Sequence, residues 1–185
     1  LAQRKSIVLL KNKMNADSTF VLPLKKSIKI YTENINKETA SKYTTIVDSL
    51  ADADIAVLRL QTPWDPRSGD IIESFFHQGT LDFKQPELSR ILKIMEQKPT
   101  VVCIYLDRAA VIPEIAENAV GLLCDFGAYD DAVLDIIFGD FNPTAKLPFE
   151  LPFSMEAVKN QKEDVPYDSE NPVFKFGHGL SYNVN

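Results

Sequence analysis

The sequence predicts an α/β fold, a three-layer α/β sandwich around a mostly parallel sheet. Short apolar runs rich in Val and Ile recur at 27–31, 55–60, 100–106 and 120–126. Near-continuous runs of this kind suit strands buried on both faces. Helical patterns lie between them, at 37–50, 86–97, 111–118 and 130–138, so the order reads β-α-β-α. Right-handed crossovers between parallel strands then put helices on both faces of the sheet.

A first helix is expected at 2–12, ahead of the sheet. The helix at 86–97 opens on Pro86, whose missing N–H costs nothing in a first turn, and the one at 130–138 stops at Gly139, which turns freely. A short late strand is expected at 147–151; Pro148 and Pro152 place it at a sheet edge, because proline donates nothing to a ladder. After Phe153 the chain turns polar and proline-bearing before the aromatic, glycine-rich stretch 174–182. The expected organisation is one sandwich domain, 1–153, and a tail, 154–185, that wraps it.

With 185 residues, 45% of them apolar and 25% charged, the chain has the make-up of a globular domain with one sizeable core. No apolar run approaches the roughly 20 residues of a membrane span. Scattered lysines and a net charge of −6 offer no face to a phosphate backbone. Neither membrane nor nucleic acid is an expected partner. Cys103 and Cys124 sit inside β-branched runs and read as unpaired core thiols, since two thiols make neither a disulfide framework nor a metal site. His77 and His178 lack ligand spacing, so no metal is expected. His178 lies between Gly177 and Gly179 and reads as an anchor for the tail. No GxGxxG or GxxxxGK[ST] loop follows any strand and no GxSxG elbow is present, so no cofactor and no serine nucleophile are expected. The chain begins at Leu1 without an initiating Met, which reads as a fragment or a processed chain.

Ligands of open parallel sheets gather beyond the carboxyl ends of the strands. There the run 55–60 leads into Gln61, Trp64, Asp65 and Arg67, the run 100–106 into Asp107 and Arg108, and the run 120–126 carries Asp125. The connection 61–83 is the longest and holds the only tryptophan beside Asp65, Arg67, Glu73, Phe75, Phe76 and His77. An aromatic face beside carboxylates and an Arg is how a protein commonly holds a sugar, the ring stacking while hydroxyls bond the charged groups. Two blander alternatives stand at this level: a self-packed surface loop, and an internal ion pair between Asp107 and Arg108.

Three ordered motifs then point to a family. Ser6-Ile7-Val8-Leu9-Leu10-Lys11-Asn12, followed by Leu22-Pro23-Leu24, resembles the entry into the second domain of family 3 glycoside hydrolases. The stretch from Phe138-Gly139-Asp140 through Asn142-Pro143 to Leu147-Pro148 resembles that family's FGDxNPSGRLP signature, with Thr144-Ala145-Lys146 in place of Ser-Gly-Arg. Phe176-Gly177-His178-Gly179-Leu180-Ser181-Tyr182 matches its closing FGHGLSY, while Phe126-Gly127-Ala128-Tyr129 departs from a common PGxxGG stretch.

The resemblance implies a β-glucosidase-type sandwich that completes the sugar pocket of a preceding (β/α)8 barrel, which carries the nucleophilic Asp. It implies a general acid/base on the loop resembling 62–70, where Asp65 stands nearest and Glu73 second; on the loop's own chemistry, Trp64, Arg67 and His77 are expected against a β-linked glucoside or related sugar. It leans towards a periplasmic or extracellular setting. A retaining glycosidase needs two carboxyl groups about 5 Å apart, so this chain alone is expected to hydrolyse little. The rival readings are a non-catalytic structural or carbohydrate-binding module and a flavodoxin-like effector domain.

Overall fold

A computed structural model describes residues 1–66 and 75–182. Six strands, β1 (Val8–Asn12), β2 (Lys29–Glu33), β3 (Thr45–Val47), β4 (Ile55–Gln61), β5 (Thr100–Tyr105) and β6 (Gly121–Asp125), form one sheet in the order β1-β6-β5-β4-β2-β3. Four of its pairings are parallel, and only β1 runs antiparallel, against β6. The helices are α1 (Ala2–Ser6), α2 (Lys37–Ala40), α3 (Glu87–Gln97), α4 (Pro113–Asn118), α5 (Asp130–Ile137) and α6 (Met155–Asn160).

Strand alternation builds two cores, one on each face of the sheet. Val57, Val101, Cys103 and Leu123 point to one side, against Ala132, Val133, Ile136 and Ile137 of α5. Leu58, Val102, Ile104, Leu122 and Cys124 point to the other, against Ile91 and Ile94 of α3 and Ile115 of α4. Because side chains alternate along a strand, neighbouring residues of β5 and β6 serve opposite layers. The expected α/β sandwich with a mostly parallel sheet is the fold observed.

Three local expectations are corrected. Residues 2–12 are not one helix: α1 ends at Ser6, and Val8–Asn12 is the antiparallel edge strand. Buried Val8, Leu9 and Leu10 supply both faces of a strand, which a short surface helix cannot use. Residues 37–50 hold only a one-turn helix, capped by the Asn36 side chain, before β-branched Thr45-Ile46-Val47 joins β2 in parallel. The late strand at 147–151 does not enter the sheet. Leu147 instead exchanges backbone hydrogen bonds with Gly177 and His178, and Leu151 pairs with Phe174, so this segment clips to the tail.

Candidate functional site

Parallel β4 and β5 end side by side, at Gln61 and Tyr105. Thr62, buried just past β4, donates from its N–H to the Tyr105 carbonyl at 3.0 Å and from its hydroxyl to the Arg108 carbonyl at 3.2 Å, pinning the two exits together. Trp64 and His77 then stack face to face, 4.5 Å between centroids and 9° between planes. The imidazole Nδ1 sits in a very short contact with an Asp107 carboxylate oxygen. A carboxylate only accepts, so Nδ1 carries the proton and Nε2 is the nitrogen facing away from the pair.

Asp65 is anchored differently. Its backbone N–H donates to the Gln78 carbonyl at 2.8 Å, while its carboxylate accepts from the Thr80 N–H at 2.9 Å and from Lys84 Nζ at 2.8 Å. Those donors, the Lys84 ammonium first and the Thr80 amide second, hold the Asp65 carboxyl below the usual carboxylate range. A concavity of about 370 Å³ opens beside it, with Gln61, Trp64, Asp65, Thr80 and Lys84 on its walls.

Arg108 does not pair with Asp107. Its guanidinium donates to the carbonyls of Pro63, Gly79 and Thr80, so it staples both ends of the β4–α3 connection to the exit of β5, and Asp107 is left for His77. Asp125 is not at the rim either. Fully buried at the end of β6, it accepts from the N–H groups of Gly127 and Ala128 at 2.9 and 2.8 Å and from Arg59 at 3.2 Å. Gly127 takes φ +97°, which lets this tight turn form. Beyond it Tyr129 is 75% exposed, and in the β4–α3 connection Phe75 and Phe76 are 76% and 61% exposed.

Of the site residues expected from the sequence, Trp64 and His77 are brought into contact, and Asp65 lies next to Trp64 but is bonded to Thr80 and Lys84. Arg67 and Glu73 lie outside the described residues. Asp107 and Lys84 were not singled out as partners of His77 and Asp65. Position just past β5 was the signal for Asp107; Lys84, 19 residues from Asp65, carried none. Among the described residues no group of three or more His, Cys, Asp or Glu could hold a metal ion, and no helix is long and apolar enough to cross a membrane.

Comparison with known proteins gives the arrangement a context. The chain is 49% identical to the probable β-glucosidase C of Aspergillus flavus across 98% of its own length and 28% of that protein. It is 44% identical to β-glucosidase C of Emericella nidulans across 100% and 29%, and 35% identical to the periplasmic β-glucosidase/β-xylosidase of Dickeya chrysanthemi across 97% and 27%. It thus spans under a third of the length of these relatives. Among solved structures, a β-glucosidase from Erythrobacter marinus superposes with a TM-score of 0.73 at 19% identity, covering 97% of this chain and 34% of that one. The Listeria innocua β-glucosidase in complex with glucose superposes at 0.70 and 21%, covering 98% and 33%; at such identities the likeness is one of fold. With the family's own model matching residues 29–182, the chain belongs to the glycosyl hydrolase family 3 C-terminal domain family.

Proposed function

We propose that this chain is the pocket-completing domain of a retaining β-glucosidase, presenting the β4 and β5 rim to a sugar held by a (β/α)8 barrel. The observation that carries the reading is the Trp64–His77 stack braced by Asp107 at the ligand edge of the sheet. Trp64 offers an apolar face to a β-linked glucoside, His77 Nε2 meets a hydroxyl, and Arg67 adds a cationic donor. The same loop supplies the general acid/base, Asp65 first and Glu73 second. Exposed Phe75, Phe76 and Tyr129 support a partner surface here, because large aromatics left in water on one edge mark a face that something covers.

The test is hydrolysis of an aryl β-glucoside by this chain alone and by a protein that joins it to a barrel. Turnover is expected only from the joined protein, with Trp64→Ala raising KM about 3- to 10-fold, the worth of one aromatic contact. A joined enzyme indifferent to both Trp64→Ala and His77→Ala removes the rim from the pocket. The second reading, a non-catalytic module, is favoured by one observation: the Asp65 carboxylate is already engaged by Lys84 and Thr80. Under it neither Asp65 nor Glu73 affects proton transfer.

A further inference from the structure

Past α6 the chain runs through 161–173 without helix or strand, yet its course is fixed. Asp168 accepts from the Lys162 N–H at 3.0 Å, and the Ser169 N–H donates to Glu150 at 3.1 Å. These bonds shape a concavity of about 610 Å³ walled by Glu150, Tyr167, Ser169, Asn171, Pro172 and Lys175. It shares no wall residue with the concavity at Trp64.

Three features set this hollow apart from an incidental dent. Tyr167 and Asn171 hold φ +59° and +45°. Asparagine tolerates that region, but a tyrosine there brings its Cβ against the following carbonyl, and glycine would be the unstrained choice. Tyr167 is 52% exposed, and its ring stacks on one side against Phe176, itself 50% exposed, at 4.1 Å and 23°. Strain and exposed aromatic area thus coincide on one side chain, the reverse of what packing alone would select. Ser169, only 8% exposed, has a buried hydroxyl with no hydrogen-bond partner among the described residues. Burying a hydroxyl without a partner costs free energy, so this loop is not shaped for stability alone.

The wall chemistry narrows the ligand. Glu150 and Lys175 balance in charge, so the hollow concentrates neither an anion nor a cation. The Asn171 amide both donates and accepts. An exposed ring beside a carboxylate, an ammonium and an amide matches a neutral ring with an apolar C–H face and a hydroxyl edge. We infer that the tail carries a carbohydrate subsite of its own, which takes a hexopyranose unit on Tyr167 and bonds its hydroxyls through Glu150, Asn171 and Lys175. It involves no catalysis and does not depend on the β4 and β5 rim.

The 185-residue chain, titrated with cellobiose and followed by amide NMR, tests this. Saturable shifts are expected at 167–175, with a dissociation constant on the order of 1–10 mM for so shallow a site. Signals at 62–66 and 77–84 report the rim separately, so the two sites succeed or fail independently. Tyr167→Gly should weaken binding about tenfold or more while leaving Tm unchanged or raised, because glycine relieves the positive φ. Tyr167→Phe should retain binding. The inference is overturned if no saturable shift appears at 167–175, if Tyr167→Gly binds like the parent, or if phosphate competes at millimolar concentration.

Discussion

Two cysteines one strand apart never meet, because Cys103 faces the α5 layer and Cys124 faces the α3 layer. Burial, and then the charge of Asp125, raise both thiol pKa values well above their ordinary range. The thiolate is the reactive species, so a disulfide reagent should label neither in the native state and both after unfolding in denaturant. Native labelling of either at a rate near that of a free thiol contradicts this packing. Asp125 beside them shows how burial changes the worth of a charge. Burial alone lowers the Arg59 pKa, but Asp125 and Asp130 outweigh it and raise it, and the pair also fixes the 127–128 turn. Asp125→Ala therefore leaves two amides unpaired and removes one of the two carboxylates on Arg59, which keeps Asp130 and the Ala128 carbonyl, and should cost about 3–5 kcal/mol by urea denaturation. The exposed Asp65–Lys84 pair sits at the other limit, where solvent screens the attraction and Lys84→Ala should barely move the urea midpoint. Its sign with pH follows from the depressed Asp65 pKa. The stabilisation is present above the ordinary value of 3.8 and is lost as pH falls below it through the folded value.

At the scale of elements, the closing FGHGLSY segment acts as a strap on the antiparallel edge strand. His178 Nε2 donates to the Leu10 carbonyl and the Leu180 N–H to the Leu9 carbonyl, each at 2.8 Å, while the Tyr182 hydroxyl donates to the Ile136 carbonyl at 2.7 Å. Gly179 is required because a Cβ there would lie 2.3 Å from the Ala145 carbonyl oxygen. Gly179→Ala should lower stability by about 1–3 kcal/mol, the usual cost of overpacking, and melt the strap before the sheet. Faster amide exchange at Leu9 and Leu180 than in β5 is the observable, and unchanged exchange sinks the idea. The strap also shows what sequence patterns carry and what they omit. The runs that became β4, β5 and β6 were legible because strands buried on both faces are apolar almost without interruption, and the anchoring role of His178 because its glycines permit turns closed to other residues. Edge strand β1 was not, since Ala2-Gln3-Arg4-Lys5 favours helix locally while the pairing with β6 spans more than a hundred residues. Likewise Asp107 found His77 instead of its neighbour Arg108, a choice made by three backbone carbonyls that only folding brings together.

At the scale of the whole molecule, the rim is one wall of the proposed pocket, and its chemistry depends on what closes over it. As the chain stands, Lys84 and the Thr80 amide favour the ionised form of Asp65 still further, and an ionised carboxylate cannot protonate a leaving group. For Asp65 to take the proposed acid role, closure has to raise its pKa, by excluding water or by bringing a second carboxylate near, as retaining glycosidases do. Under the proposed function, in a protein that joins this chain to a (β/α)8 barrel, Asp65→Asn should leave folding intact and slow glucosides with poor leaving groups by about 10²- to 10⁴-fold. Aryl glucosides with good leaving groups should be far less affected in the glycosylation step, and azide should restore breakdown of the glycosyl-enzyme because it needs no general base. Lys84→Met supplies an independent reading. Removing the ammonium raises the Asp65 pKa, so the protonated form persists further and the alkaline limb of the kcat/KM profile moves to higher pH. If Asp65→Asn is silent and Glu73→Gln carries the leaving-group dependence, the donor is Glu73 and the Lys84 variant should leave the limb in place. If neither carboxylate matters, proton transfer lies outside this chain, and the Trp64–His77–Asp107 cluster only shapes the wall against which the sugar rests.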